Sequence, residues 1–290
     1  MEKKTISIGK ETLAYIDCGK GDVVLMIHGN MSSSVHFDEL IERLKDSYRC
    51  VAVDLRGFGD SSYNNRFDSL EELADDVNLF LEALGIDSAY VVGWSNGGGV
   101  GLKLCAKYPE KVKKFFAIEG ADHKGYPIFK KVNFQPTAEP YESKDAMAMD
   151  PMQVGPVVAI FATGDSATMS GLWDMTIYTV GKPSPEQASR WMAETMKQRN
   201  IVDLDWALAN FNMSDTATPY GMGDGTIKDV KCPVALTTAD RDVVVPNYMV
   251  MSNATALGDK ATVINYTNCG HSPMVDCPDR LAEDVKAFFA

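Results

Sequence analysis

The stretch Val91-Val92-Gly93-Trp94-Ser95-Asn96-Gly97-Gly98-Gly99 decides how the rest of the chain is organised. The apolar run 89–92 predicts a buried strand, and the segment 100–108 is typical of a helix that ends before Pro109. Between them lies Gly-x-Ser-x-Gly, the pattern of a sharp strand-to-helix turn that exposes its serine. So tight a turn holds the serine in strained backbone, and the residues two positions away must lack bulk. Ser95 is therefore a candidate nucleophile, which needs a base and an acid from elsewhere in the chain.

Length and charge limit the classes of protein that the sequence can encode. A chain of 290 residues predicts one large domain, or a domain with a sizeable insertion, and can bury a substantial core. The net charge of −12 argues against nucleic acid or an anionic membrane surface as a partner. This charge fits a soluble protein acting on neutral or apolar molecules, although solubility alone explains it equally well. The longest apolar runs, such as 157–162, are far below the roughly 18 residues that span a bilayer.

Neither a metal nor a cofactor is expected. No group of His, Cys, Asp or Glu has metal-ligand spacing, and the glycine run 97–99 lacks the pattern of a phosphate loop. The six cysteines are scattered without Cys-x-x-Cys spacing, as expected for reduced thiols. The first residues contain no apolar signal core, so we expect a cytoplasmic location. The sequence leaves the oligomeric state open.

The order of apolar runs predicts the fold class. Predicted strands alternate with predicted helices, which indicates a parallel sheet with right-handed crossovers. The predicted strands are 12–17, 23–27, 50–53, 89–92, 114–118, 233–238 and 262–266, and the predicted helices are 37–44, 69–84, 100–108, 247–257 and 280–289. Between 120 and 226 the alternation stops, and this segment holds nine of the 15 methionines. We therefore predict an α/β core formed by 1–119 and 227–290, with a helical lid or cap at 120–226.

Candidates for the base and the acid follow two of the predicted strands. His271 lies in a loop just past the strand 262–266, and Asp240 and Asp242 follow the strand 233–238. The carboxyl ends of parallel strands meet at one edge of a sheet, and Ser95 also leaves a strand at that edge. A serine nucleophile needs a base to take its proton and a third group to orient the base. His271 is therefore the candidate base, with Asp240 or Asp242 as its acid.

The order Ser…Asp…His resembles the α/β-hydrolase superfamily over essentially the whole chain. Its landmarks are matched by the turn at Ser95, by His-Gly at 28, by Asp-Leu-Arg-Gly-Phe-Gly at 54 and by Gly-His-Ser-Pro at 270. The resemblance implies a mostly parallel central sheet with helices on both faces. In that family the acid lies in Gly-x-x-Asp-x-x-x-Pro. Asp242 and Pro246 have this spacing, although Ala239 replaces the glycine, so we prefer Asp242 and interpret Asp240 as a turn residue.

The same resemblance suggests where a negatively charged intermediate would bind. One backbone N–H of the oxyanion hole should come from Asn96, the residue after the nucleophile. The other should come from Asn30 in the His-Gly-x loop, with Met31 as runner-up. We interpret His28 as a brace of this loop. His36 and His123 either bind substrate or are ordinary loop or surface residues.

The segment 120–226 should decide the substrate, because methionine and aromatic side chains form an adaptable apolar wall. We predict that Trp94, Trp173 and Val244 line the substrate pocket, although many side chains of the segment must pack its own core. A more specific resemblance links 28–34, 123–131 and 172–186 to bacterial proteins described as intracellular polyhydroxyalkanoate depolymerases. It implies an aliphatic polyester, or its short-chain hydroxyalkanoate oligomers, as substrate.

These observations favour a serine hydrolase that cleaves a carboxylic ester through an acyl-serine intermediate. Lactonases, thioesterases and carbon–carbon bond hydrolases use the same three residues and remain alternatives. Dehalogenases of this fold use an aspartate nucleophile, and Ser95 argues against that activity. The alternative outside enzymes is a catalytically silent binding protein of the same fold.

Overall fold

The computed structural model describes residues 1–290 and contains a central eight-stranded sheet. Its strands are β1 (Lys4–Ser7), β2 (Thr12–Gly19), β3 (Val23–Ile27), β4 (Arg49–Val53), β5 (Ala89–Trp94), β6 (Val112–Ile118), β7 (Val234–Ala239) and β8 (Ala261–Tyr266). The spatial order is β1-β2-β4-β3-β5-β6-β7-β8. β2 pairs antiparallel with both β1 and β4, and all the other pairs are parallel. The predicted mostly parallel sheet is confirmed.

Helices cover both faces of this sheet. They are α1 (Asp38–Leu44), α2 (Leu70–Ala83), α3 (Asn96–Lys107), α4 (Lys144–Ala148), α5 (Gly155–Thr163), α6 (Ser166–Thr176), α7 (Pro185–Thr195), α8 (Ile201–Asn210), α9 (Asn247–Leu257), α10 (Pro273–Asp276) and α11 (Pro278–Phe289). Successive side chains of β3 enter different hydrophobic clusters. Leu25 packs with residues of α2 and α3, and Met26 packs with residues of α1 and α11. A strand that is buried on both faces consists of a continuous apolar run, which is why the sequence predicts β3.

Helix α3 begins four residues earlier than the sequence predicts. The glycine run 97–99 argues against a helix by propensity, yet it forms the first turn of α3. A side chain at Gly98 would lie 2.5 Å from the Cα of Gly120, so the close approach of α3 to the chain beyond β6 demands a small residue there. Tertiary packing overrides helix propensity at this point.

The segment between β6 and β7, residues 119–233, contains α4 to α8. Two short antiparallel ribbons, 131–136 and 217–222, also lie in it. Residues of α5, α6 and α7 pack with Trp94 on one face of the sheet, whereas Leu204 and Leu208 of α8 join the hydrophobic cluster of the other face. None of the helices combines the length and the hydropathy needed to cross a bilayer.

Candidate active site

Ser95 occupies the turn between β5 and α3 in strained backbone, with φ 55° and ψ −119°. Its N–H donates to the carbonyl oxygen of Ile118 at 2.9 Å, and its carbonyl oxygen accepts from the N–H of Gly98 at 2.8 Å. A side chain at Gly97 would lie 2.0 Å from the carbonyl oxygen of Ile27. The surrounding backbone therefore holds a conformation that L-residues rarely adopt, and this conformation places the Ser95 side chain on the cavity described below.

Asp242 and His271 form a buried pair, with Asp242 Oδ2 2.7 Å from His271 Nδ1. The other carboxylate oxygen, Oδ1, accepts from the N–H groups of Val244 at 2.7 Å and Val245 at 2.9 Å. An acceptor at Nδ1 favours the tautomer that carries its proton there, which leaves Nε2 able to accept a proton. Asp240 has a different partner, because its Oδ1 accepts from the N–H of Cys269 at 3.1 Å.

Ser95 and His271 line the same cavity, but no hydrogen bond joins Ser95 Oγ to His271 Nε2. Such contacts are often long without substrate and tighten when substrate binds. The loop that carries His271 is held by Trp94, whose indole Nε1 donates to the His271 carbonyl oxygen at 2.8 Å. Trp94 also lines the cavity, and sequence reasoning did not predict its contact with the loop of the candidate base.

Glu119 is a buried carboxyl group near this pair that sequence reasoning did not identify. Its Oε1 accepts from the Thr237 hydroxyl at 2.8 Å and its Oε2 from the Ala239 N–H at 3.2 Å, so it ties the end of β6 to β7. Burial, and then the charge of Asp242, raise the pKa of Glu119 well above its usual range. The sequence could have marked Glu119 as a site residue by its position directly after the predicted strand 114–118.

Two backbone N–H groups of residues that line the same cavity as Ser95 have no acceptor within the protein. The Asn96 N–H opens α3 and so lacks an intrahelical acceptor. The Asn30 N–H, in the loop after β3, donates to no atom of the protein. Met31, the runner-up donor, is engaged already, because its N–H donates to Asn30 Oδ1 at 2.8 Å and to Gln198 Oε1 at 2.9 Å.

The candidate site opens into a cavity of about 650 Å³, within the size range of small-molecule sites. Its walls are mostly apolar and include Val244. On α6 the stripe formed by Thr168, Gly171, Leu172 and Met175 faces the cavity.

Trp173, predicted to line the pocket, lies on the neighbouring stripe of α6. Its side chain is buried against Trp94 and His36 and borders a separate cavity of about 180 Å³. Our pocket prediction is wrong for Trp173, because the sequence does not reveal which stripe of α6 meets the core.

Three histidines other than His271 are buried, and none of them lines the main cavity. His28 Nε2 accepts from the Leu55 N–H at 3.0 Å, and burial lowers its pKa to about 4. His36 Nδ1 accepts from the Ser33 N–H at 3.1 Å, and burial lowers its pKa to about 3. Both rings therefore act as neutral braces of the loops after β3. His123 is packed against Asn253, so His36 and His123 are core residues and not surface residues.

One group of carboxylates, Asp54, Asp60 and Glu194, is compact enough to hold a metal ion. The ammonium group of Lys3 already lies among them, 2.7 Å from Asp54, 3.1 Å from Asp60 and 2.5 Å from Glu194. None of these residues lines the cavity. The cluster is a partly buried ion-pair network, with Asp60 exposed, that joins the first residues of the chain to α7.

Comparison with known proteins agrees with this architecture. A sequence profile described as the alpha/beta hydrolase fold matches residues 22–278. The chain therefore belongs to the α/β-hydrolase fold family. An esterase from Exiguobacterium antarcticum superimposes with a TM-score of 0.73 at 18% identity, covering 96% of this chain and 95% of that one.

Curated relatives match a shorter stretch. A cis-3-alkyl-4-alkyloxetan-2-one decarboxylase of Shewanella oneidensis is 35% identical over 122 residues, which is 38% of this chain and 36% of that protein. A 2-(acetamidomethylene)succinate hydrolase of Mesorhizobium japonicum is 34% identical over 116 residues, which is 40% of this chain and 42% of that protein. The chain thus spans less than half the length of these relatives.

Proposed function

We propose that this protein hydrolyses carboxylic esters through an acyl-Ser95 intermediate. The observation that carries the proposal is the buried contact of 2.7 Å between Asp242 Oδ2 and His271 Nδ1, with His271 and Ser95 on one cavity. A strained serine at a strand-to-helix turn, an imidazole with a free Nε2 and a carboxylate behind it are the parts that acyl transfer requires.

In the first half of the reaction, Ser95 Oγ attacks the ester carbonyl carbon while His271 Nε2 takes the hydroxyl proton. The imidazolium that forms is stabilised by Asp242, whose carboxylate stays ionised. The carbonyl oxygen becomes negatively charged and accepts hydrogen bonds from the Asn30 and Asn96 N–H groups. Each such donor contributes about 3 kcal/mol to stabilisation of the transition state. The carbon–oxygen bond to the alcohol then breaks, and His271 donates its proton to the departing alkoxide.

In the second half, water takes the place of the alcohol. His271 Nε2 removes a proton from water, and the hydroxide attacks the acyl carbon, again with the carbonyl oxygen in the pair of N–H groups. Collapse of this intermediate breaks the bond to Ser95 Oγ, which recovers its proton from His271. The products are a carboxylic acid and an alcohol, and no cofactor takes part in either half.

The volume and apolar walls of the cavity support a small ester with a short aliphatic chain. Together with the resemblance of 28–34, 123–131 and 172–186 to polyhydroxyalkanoate depolymerases, they support short-chain hydroxyalkanoate oligomers as substrates. A panel of hydroxybutyrate oligomers, simple esters, lactones and thioesters measures this preference. A higher kcat/KM for thioesters or lactones would replace the substrate assignment and leave the acyl-serine mechanism in place.

A fluorophosphonate probe tests the nucleophile directly, because it phosphonylates an activated serine. We expect the wild-type protein to label and to hydrolyse a short p-nitrophenyl ester, and Ser95→Ala to do neither. Ser170→Ala, on the exposed surface of α6, is the matched control and should label like the wild type. Equal labelling of Ser95→Ala would show that another residue reacts, and no labelling of the wild type would favour a silent binding protein.

A further inference from the structure

Asp205 is the one carboxylic acid that lines the cavity of the candidate active site. It lies on α8, where Ile201 and Leu208, four residues before it and three after it, line the same cavity. The residue is only 8% exposed, and burial raises the pKa of its carboxyl group to about 7. The acyl-serine mechanism does not use this group.

The partners of Asp205 fix how its carboxyl group is presented. Asn30 Nδ2 donates to Asp205 Oδ1 at 3.1 Å. The orientation of the Asn30 amide is determined, because its Oδ1 accepts from the Met31 N–H at 2.8 Å and from Gln198 Nε2 at 2.9 Å. Only the NH₂ end is left for Asp205. The Asp205 carboxyl group is therefore hydrogen-bonded to the side chain of Asn30, the residue whose backbone N–H we assign to the oxyanion hole.

The second oxygen of Asp205 has no such partner. Oδ2 makes no hydrogen bond within the protein. It is accessible to solvent and is not an enclosed atom. It therefore faces the cavity. A polar group that is left unpaired in an apolar environment loses the free energy of its hydrogen bond with water, and a ligand that supplies a donor restores it.

We propose that Asp205 Oδ2 selects substrates that carry a hydroxyl group close to the scissile ester. The hydroxyl donates to Oδ2 and takes the place of water as the hydrogen-bond partner of this oxygen. Because Asn30 connects the carboxyl group to the oxyanion hole, the hydroxyl lies within a few bonds of the ester carbonyl group. A substrate with a methyl group in place of the hydroxyl leaves the buried carboxyl group unpaired, and a site of this kind discriminates strongly against it. This inference rests on the proposed ester hydrolysis for its substrate class.

A purely structural role for Asp205 predicts a different behaviour. If the carboxyl group only braced Asn30, its removal would disturb the oxyanion hole and would weaken all esters alike. Selection of a hydroxyl group changes the preference between two ligands that differ only in that group. The ratio of two affinities therefore separates the two roles, whereas the activity on one ester does not.

The experiment measures binding to Ser95→Ala, which cannot turn the ligands over, by calorimetry. Two ligand pairs differ by a hydroxyl in place of a methyl group. The pair 2-hydroxyethyl butyrate and propyl butyrate differs on the alcohol side, and the pair ethyl 3-hydroxypropanoate and ethyl butyrate differs on the acyl side. Each affinity ratio is then measured in the double variant that combines Ser95→Ala with Asp205→Leu. Asp205→Ala replaces Asp205→Leu in a second double variant, in case leucine prevents folding. Thr176→Val is the matched control, because this cavity residue already donates its hydroxyl to the Leu172 carbonyl oxygen at 2.7 Å.

We expect the hydroxyl ligand of at least one pair to bind more tightly, and its advantage to fall about tenfold or more in the Asp205 variants. The ratio should not change in Thr176→Val. Ratios that stay the same in a folded Asp205 variant overturn the inference, even if both affinities fall. Turnover of the four esters by the wild type tests the proposed function separately, because hydrolysis can fail while the binding ratio still depends on Asp205.

Discussion

Asp240 and Asp242 are two residues apart, but their carboxylates have different hydrogen-bond partners. Asp242 Oδ2 accepts from His271, whereas Asp240 Oδ1 accepts from the Cys269 N–H. Only the first contact orients an imidazole, so we expect Asp242→Asn to lower kcat for ester hydrolysis about 10,000-fold. The amide would present its NH₂ or its weaker carbonyl acceptor to Nδ1, and the tautomer with a free Nε2 would lose its support.

Asp240→Asn is the matched control for this substitution, because the amide can still accept from Cys269. We expect its kcat to stay within a few-fold of the wild type, with the same short p-nitrophenyl ester as substrate. Circular dichroism checks that both variants are folded. Similar losses of kcat in the two variants would contradict the assignment of Asp242 as the orienting acid.

At the scale of elements, the turn from β5 through Ser95 to α3 depends on the absence of side chains around it. A methyl group at Gly97 would meet the carbonyl oxygens of Ile27 at 2.0 Å and His28 at 2.8 Å. Both are backbone atoms of the neighbouring strand and loop, which cannot rotate away. We expect Gly97→Ala to lower the free energy of unfolding by about 3 kcal/mol, as overpacking does, and to lower the melting temperature accordingly.

Gly171→Ala is the control for this change. Gly171 lies inside α6, and its added methyl group would meet no atom within 4 Å. Alanine is favoured over glycine inside a helix, so this variant should gain up to about 1 kcal/mol. If Gly97→Ala melted at the same temperature as Gly171→Ala, steric conflict would not explain the glycine in the turn.

The elements that sequence reasoning identified are those whose burial leaves a periodic or continuous apolar pattern. Strand β3 and helix α9 have the bounds predicted for them, 23–27 and 247–257. Strand β1 was missed, because it lies at the edge of the sheet and Lys4–Ser7 contains one apolar residue. The start of α3 was misplaced because helix propensity competes there with a packing demand that only the folded chain reveals.

At the scale of the whole molecule, the candidate site combines residues that lie far apart in the sequence. Local motifs marked Ser95, Asp242 and His271, because each follows a strand at the same sheet edge. The motifs could not distinguish Trp173, which faces the core, from Asp205, which faces the cavity. The packing of the segment 119–233 on the sheet decides which stripe of α6 or α8 faces the cavity. No local sequence pattern predicts this orientation.

The buried histidines make stability depend on pH across the whole molecule. His36 is neutral in the folded state, with a pKa of about 3, whereas an unfolded histidine has a pKa near 6.5. Between these values the unfolded state binds the additional proton. The stability that His36 contributes is therefore complete above pH 6.5 and is lost as the pH falls toward 3. His28 acts in the same direction. Asp205 opposes them, because its raised pKa favours the folded state as the pH falls below 7.

A substitution at His36 isolates one of these contributions. His36→Phe keeps a ring against Trp173 and Trp191 but cannot bind a proton in either state. We expect it to be less stable than the wild type at pH 7.5, because it leaves the Ser33 N–H without an acceptor. The difference in unfolding free energy should shrink by about 2 kcal/mol at pH 5. At that pH, protonation of His36 stabilises the unfolded state of the wild type, whereas phenylalanine binds no proton. Urea denaturation at the two pH values measures both quantities. Gly97→Ala changes no titratable group, so its deficit should be the same at both, and an equally constant deficit for His36→Phe would show that His36 is not held neutral.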